Sequence, residues 1–314
     1  MSSRSRGDRR APQPERRGLL SGMSAPPIDE MPRIRTAFTR GLAGTWSSPV
    51  VVGAIVAWLL LEWIVLVAVG FPGPFALLSH LSAAAPLSTT ADLSISVGIF
   101  GFARGLPFVF VVAAVHALWY SMLVGLAIEA VETGTPSRWG AIRGLRAFPV
   151  AFALHLIGVP VLFASQLVSG LAGGGLSFVL QLAVLVVTVW AFAFAPIIAV
   201  ADRRRLLDSL GRSLRAARLP GSGNLSFVAI YVLPVFATFV AIGVGSVPGA
   251  DLDVNPSYTA WIFVTFVNLL HGAVLAALAL RYLSVAAQVP DPPARPTRGA
   301  DRRPGSRARM RGRR

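Results

Sequence analysis

Six apolar runs, each about twenty residues long, alternate with segments rich in arginine, proline, glycine and serine. They occupy about 49–71, 106–128, 149–170, 176–200, 226–247 and 259–282. A helix rises about 1.5 Å per residue, so roughly 20 apolar residues cross the hydrocarbon of a bilayer. The pattern predicts an all-α, polytopic membrane protein with six transmembrane helices. Runs three and four are separated only by "SGLAGGGLS" (Ser169–Ser177). That stretch is too short and glycine-rich to be a helix, so it joins two spans directly. A weaker run, Leu93–Arg104, either lies on the membrane surface or dips into it.

The polar segments give the orientation. With six spans, both tails and the loops after spans two and four share one side. That side holds every arginine except Arg104, and the opposite loops carry Asp92, Asp251 and Asp253. Positive loops stay in the cytoplasm, so both termini are expected there. Residues 1–46, with nine arginines, read as a disordered or interfacial cytoplasmic arm. The six-helix domain then covers 47–286, and 287–314 reads as a disordered Pro/Arg-rich tail. The first apolar run lacks a cleavage pattern and is expected to remain as the first span, with Met1, Met23 and Met31 as alternative starts.

The densest charge outside the tails lies in "ADRRRLLDSLGRSLRAAR" (Ala201–Arg218). As a helix it places Leu206, Leu207, Leu210, Leu214 and Ala217 within about 100° of one another. Arg204, Asp208, Arg212, Arg215 and Arg218 share the other face. This is either a cytoplasmic connector or an interfacial helix whose Arg204, Arg212, Arg215 and Arg218 contact anionic lipid.

The loops also echo one another. "RGLRA" (Arg143–Ala147) precedes the third span and "RSLRA" (Arg212–Ala216) the fifth, while "TRGLAG" (Thr39–Gly44) is a fainter form before the first. "VPVLFA" (Val159–Ala164) likewise matches "LPVFA" (Leu233–Ala237). These matches suggest three pseudo-repeated helical hairpins, each entered through an arginine-bearing segment and related about the membrane normal.

The run from Pro196 to Asp202, then "SLGRSL" (Ser209–Leu214), Arg215 and Asn224, resembles the recurring motif of a broad group of six-helix prokaryotic membrane proteins. The membrane domain that accompanies some glycerophosphodiester phosphodiesterases belongs to that group. Ser209 stands where the group usually has alanine, whereas Leu210, Ser213 and Asn224 fit. The resemblance covers about thirty residues and the span count. It implies a multi-pass protein of a prokaryotic cell membrane and no particular activity, because no phosphodiesterase domain accompanies it.

Composition agrees with a membrane protein: 54% of residues are hydrophobic and 14% charged, with a mean hydropathy of +0.65. Cysteine is absent, which excludes disulfides, thiolate catalysis and cysteine-bound zinc. All 29 basic residues are arginines. That bias fits phosphate recognition, and it equally fits GC-rich coding.

Polar groups inside spans point to function. Glu62, His116 and His271 fall about halfway through spans one, two and six. A carboxylate and two imidazoles at one depth would relay protons or bind a divalent metal; alternatively, each is tied separately to its own helix. His155, Asn268 and, more weakly, Gln181 are secondary members, and Trp58 and Trp63 beside Glu62 read as packing. Gly101-x-x-x-Gly105 encloses Arg104, and the sequon at Asn224 falls on the cytoplasmic side. Asp251 and Asp253 read as solvated turn residues. No nucleophile–base arrangement, HExxH or phosphate loop is present.

The expectation is therefore no enzyme, cofactor, bound metal or specific nucleic-acid partner. The sequence points first to a membrane component that binds anionic lipid or a partner protein through its arginine-rich face. The alternative is a small transporter using Glu62, His116 and His271. Convergence of these groups in one place would favour transport.

Overall fold

The computed structural model describes residues 31–68, 102–157, 174–219 and 258–289, with isolated helical positions between 160 and 171 and at 226. The described residues are helical, with no strand among them. In chain order, α1 is Ile34–Trp46, α2 Pro49–Ala68, α3 Phe102–Thr133 and α4 Arg138–Gly144. A 3-10 turn, Leu145–Ala147, leads into α5, Phe148–Leu156. Then follow α6 (Gly174–Phe192), α7 (Ala195–Ala201), α8 (Leu206–Ala217) and α9 (Tyr258–Val285), which ends in a second 3-10 turn, Ala286–Gln288.

Among the described residues, three helices are long and apolar enough to cross a membrane: Pro49–Ala68, Val109–Thr133 and Val264–Gln288. Their outward faces carry exposed apolar side chains, among them Leu60, Leu61 and Ile64 on α2, Phe110 and Val111 on α3, and Ile262 and Phe266 on α9. Water would penalise such a surface, whereas lipid chains match it. The fifth run (226–247), most of the third, Gly101, Asn224 and the acidic outer loops lie outside the described residues, apart from single helical positions.

The fourth run is not one helix. α6 stops at Phe192, and α7 restarts at Ala195 with Pro196 in its first turn. Proline has no N–H to give to the carbonyl four residues back, and its ring crowds that carbonyl. The apolar run therefore bends while staying buried: Ala195 through Val200 are all inaccessible. α7 ends at Ala201 with Asp202 as its C-cap, and Arg203 takes a left-handed backbone (φ 55°) that turns the chain into α8.

Short helices pack along the ends of the long ones. α4 packs on α3, α8 on α6 and α7, and α1 on α9. At each crossing a small residue follows an arginine. Gly144 meets α3 so closely that a Cβ there would strike Ser121 O and the Gly125 backbone. A Cβ on Gly41 would lie 2.5 Å from Ala273 O of α9. Ser213 fills the corresponding place on α8 and donates its hydroxyl to Ala191 O at 2.8 Å. Residues 34–46, inside the arginine-rich arm, are thus a packed helix.

Polar caps fix the turn between α3 and α4. Ser137 caps α4 by accepting from Trp139 N, and both Ser137 N and Oγ donate to the Glu129 carboxylate, at 2.6 and 3.0 Å. Arg143 forms a two-pronged pair with Glu132. That bond holds the guanidinium pKa above its ordinary value, as expected for a cation whose charged form is bonded.

Candidate functional site

α2 buries one stripe, Val51, Ile55, Leu59, Glu62 and Leu66, at steps of three and four residues that keep one side of a helix inward. Glu62 occupies a position where an aliphatic residue would continue the pattern. Its Oε1 lies 2.6 Å from His116 Nε2 of α3, and both side chains are sealed from solvent, at 1% and 0% exposure. The other oxygen, Oε2, accepts the indole N–H of Trp58 at 2.9 Å. Trp58 is one helical turn back and stacks flat on Trp119 of α3, with centroids 5.3 Å apart and planes 6° from parallel.

Two further histidines gather round this pair. His155 of α5 is buried, its ring 6.4 Å from that of His116 and 6.1 Å from that of Tyr120. His155 Nδ1 is 2.7 Å from Ala151 O. A carbonyl only accepts, so Nδ1 carries the hydrogen that points to Ala151. Tyr120 sits one turn from His116, and its ring is 5.6 Å from that of His271 on α9. Asn268, one turn before His271 on α9, is buried; its amide donates to Val264 O at 2.9 Å, and among the described residues its Oδ1 meets no hydrogen-bond donor.

The arrangement brings together the residues that sequence depth alone selected. Glu62 and His116 touch, and His271 joins through Tyr120. His155, a secondary member by sequence, stands next to His116. Trp58 and Tyr120 were missed as polar participants, although both lie four residues from a site residue, the spacing that shares a helix face. The side chain of Gln181 is outside the described residues. Among the described residues, no three His, Cys, Asp or Glu side chains converge as a metal-ligand set.

A carboxylate and an imidazole in contact at 2.6 Å can share one proton between them. The pair is then either carboxylate with imidazolium or acid with neutral imidazole. Both forms are neutral overall, which is what a low-dielectric interior tolerates. Adding or removing one proton leaves a net buried charge. A site of this kind can take up and release a proton when its surroundings change.

A second polar group lies at the arginine-rich end. Arg212 is buried, and its Nε is 2.9 Å from both Asp202 Oδ2 and the hydroxyl oxygen of Tyr282. Its Nη2 donates to Ala286 O at 2.7 Å, and the Tyr282 hydroxyl donates to Asp202 Oδ2. These bonds tie α8 to α7 and α9. They also turn α8 from the orientation its apolar stripe suggests. The buried face is Ser209, Arg212, Ser213, Ala216 and Ala217, and Leu207 is exposed. Of the other lipid-contact candidates, Arg204 and Arg215 are half-buried and Arg218 is exposed.

Fold and site together define an all-α protein with three candidate membrane spans among the described residues and a carboxylate–imidazole cluster buried among its helices. No family model, curated protein or solved structure matches the chain.

Proposed function

We propose that this chain is a permease-like membrane protein, without enzymatic activity, that binds and releases a proton at Glu62–His116 during transport. The observation that carries the reading is the 2.6 Å contact between two side chains closed to solvent. A carboxylate inside a membrane span costs free energy, and function is the usual reason one persists. The neighbouring rings of His155, Tyr120 and His271 support it, because separate tethering to four helices would not require them to cluster.

The proposal includes six spans arranged as three hairpins in a cell membrane, with both termini cytoplasmic, as the resemblance to six-helix prokaryotic membrane proteins implies. The similar crossings at Gly41, Gly144 and Ser213 favour the three-unit arrangement. So do the acid–arginine pairs Glu132–Arg143 and Asp202–Arg212, which accompany two of them.

A second reading is binding of anionic lipid or a protein partner through the arginine-rich face. It is favoured by the exposure of Arg203, Arg205 and Arg218 around α8. Arg212 would serve that face indirectly, by holding α8 in place.

The test is proton flux in proteoliposomes that enclose a pH-sensitive dye, driven by an imposed pH step. Glu62→Gln keeps the shape of the side chain and removes its proton exchange, so flux should be lost while helicity and elution volume stay unchanged. Equal flux through the variant sinks the transport reading.

A further inference from the structure

α4 and the turn behind it carry an apolar stripe on their outer side. Trp139, Ile142 and Leu145 follow at three-residue steps and are 63%, 52% and 40% exposed. The inner side, Gly140, Gly144 and Ala147, is buried, and α4 lies against α3. Exposed Arg138 and Arg146 stand at the two ends of the stripe, and the Arg138 guanidinium carbon is 5.1 Å from the Trp139 ring centroid.

Among the described side chains, the counterparts of α4 lack this pattern. α1 exposes Arg35, Thr36 and Thr39, and α8 exposes Leu207 as its only large apolar side chain. The stripe is therefore not a by-product of how such helices pack. α4 begins five residues after α3, a candidate span, ends at Thr133. A tryptophan, two aliphatic side chains and two flanking cations at the end of a span match the boundary between headgroups and acyl chains.

We propose that α4 is a lipid-binding element. Trp139, Ile142 and Leu145 insert among the acyl chains of the adjoining leaflet, and Arg138 and Arg146 hold the phosphate of an anionic phospholipid. The occupant is lipid because the two guanidinium groups are complementary to its phosphate and α4 follows directly on the end of a candidate span. Guanidinium binds phosphate oxygens in pairs, and Trp139 orders Arg138 through the face of its ring. This element is separate from Glu62 and stands or falls independently of the proton reading.

The experiment uses the full-length protein in vesicles of phosphatidylethanolamine and phosphatidylglycerol, the latter also supplied with brominated acyl chains. Bromine quenches indole at short range, and the signal of Trp139 is the difference between the wild type and Trp139→Phe. The expected result is strong quenching of that difference signal. Native mass spectrometry should show retained phosphatidylglycerol falling about tenfold in R138Q/R146Q, the loss of roughly one good phosphate contact. An unquenched Trp139, or undiminished retention in the double variant, overturns the proposal. So does a protein that co-purifies with the wild type and is lost in Trp139→Phe. Quenching is read from the wild type and Trp139→Phe, so it decides the matter even if R138Q/R146Q fails to fold.

Discussion

Replacing Glu62 and His116 singly and together should reveal a large coupling between them. Each single change to leucine removes one member of a buried pair and strands the other. Breaking such a pair costs about 3–5 kcal/mol, a large share of the roughly 5–15 kcal/mol that holds an ordinary domain folded. In the double variant two leucines face each other across the former 2.6 Å contact, and, among the described residues, the Trp58 N–H loses its acceptor. That N–H alone costs about 1–3 kcal/mol, so the double variant should be no less stable than either single one. The coupling should then exceed about 2 kcal/mol. It should stay below the roughly 6 kcal/mol that Coulomb's law allows at this distance for an effective dielectric near 20. The assay is reversible unfolding in mixed detergent micelles, followed by helicity. Changes that add to within about 0.5 kcal/mol would mean that the residues act independently, and would refute the shared-proton description.

Other variants test the packing and the arginine-rich end. Asp202→Ala leaves Arg212 buried without its carboxylate and should cost about 3–5 kcal/mol. Tyr282→Phe removes one hydroxyl and should cost about 1 kcal/mol; both are read in the same unfolding assay, and a reversed order would count against the Asp202–Arg212 pairing. Gly144→Ala and Gly41→Ala drive a methyl group into carbonyls of α3 and α9, and should each cost at least about 1–3 kcal/mol. Gly53→Ala on α2 meets nothing within 4 Å and should stabilise by about 0.5–1 kcal/mol. Equal effects at the three glycines would deny the close helix crossings.

Hydropathy was enough to find α2, α3 and α9, because a long apolar run leaves a helix little choice in lipid. It did not resolve the bend in the fourth run, where Pro196 is itself apolar and hides inside the average. α4 was illegible for the opposite reason. "RWGAIRG" has two glycines, which disfavour a helix in isolation, yet Gly140 and Gly144 are what lets this one approach α3. The site was legible as a depth coincidence: polar residues rare enough to be noticed, each halfway along its run. Its geometry was not, since the Trp58 hydrogen bond and the place of Tyr120 depend on how α2 and α3 face each other. Arg212 shows the limit most directly. Its sequence neighbours put it on a solvated face, whereas its partners, Asp202 and Tyr282, lie 10 and 70 residues away.

α9 connects the two polar groups. His271 and Tyr282 are eleven residues apart on one helix, about 16 Å along its axis and within about 20° of the same face. The first sits at the histidine cluster through Tyr120, and the second is bonded to Asp202 and Arg212. The same helix receives α1 at Gly41 and packs Trp261 edge-on against Trp63 of α2. A tilt of α9 would therefore be felt at both ends, because a helix is stiff over three turns and its neighbours are close-packed. In the proposed cycle, a proton added beside Glu62 changes the charge facing His116 and, through Tyr120, the packing of His271. α9 is then the element able to carry that change to the Asp202–Arg212 group. The same helix joins distant parts of the chain. α4 packs on the adjoining α3, whereas α1 packs on α9, at the far end of the described chain. The last described helix thus supplies both the surface that α1 packs on and the His271 member of the histidine cluster.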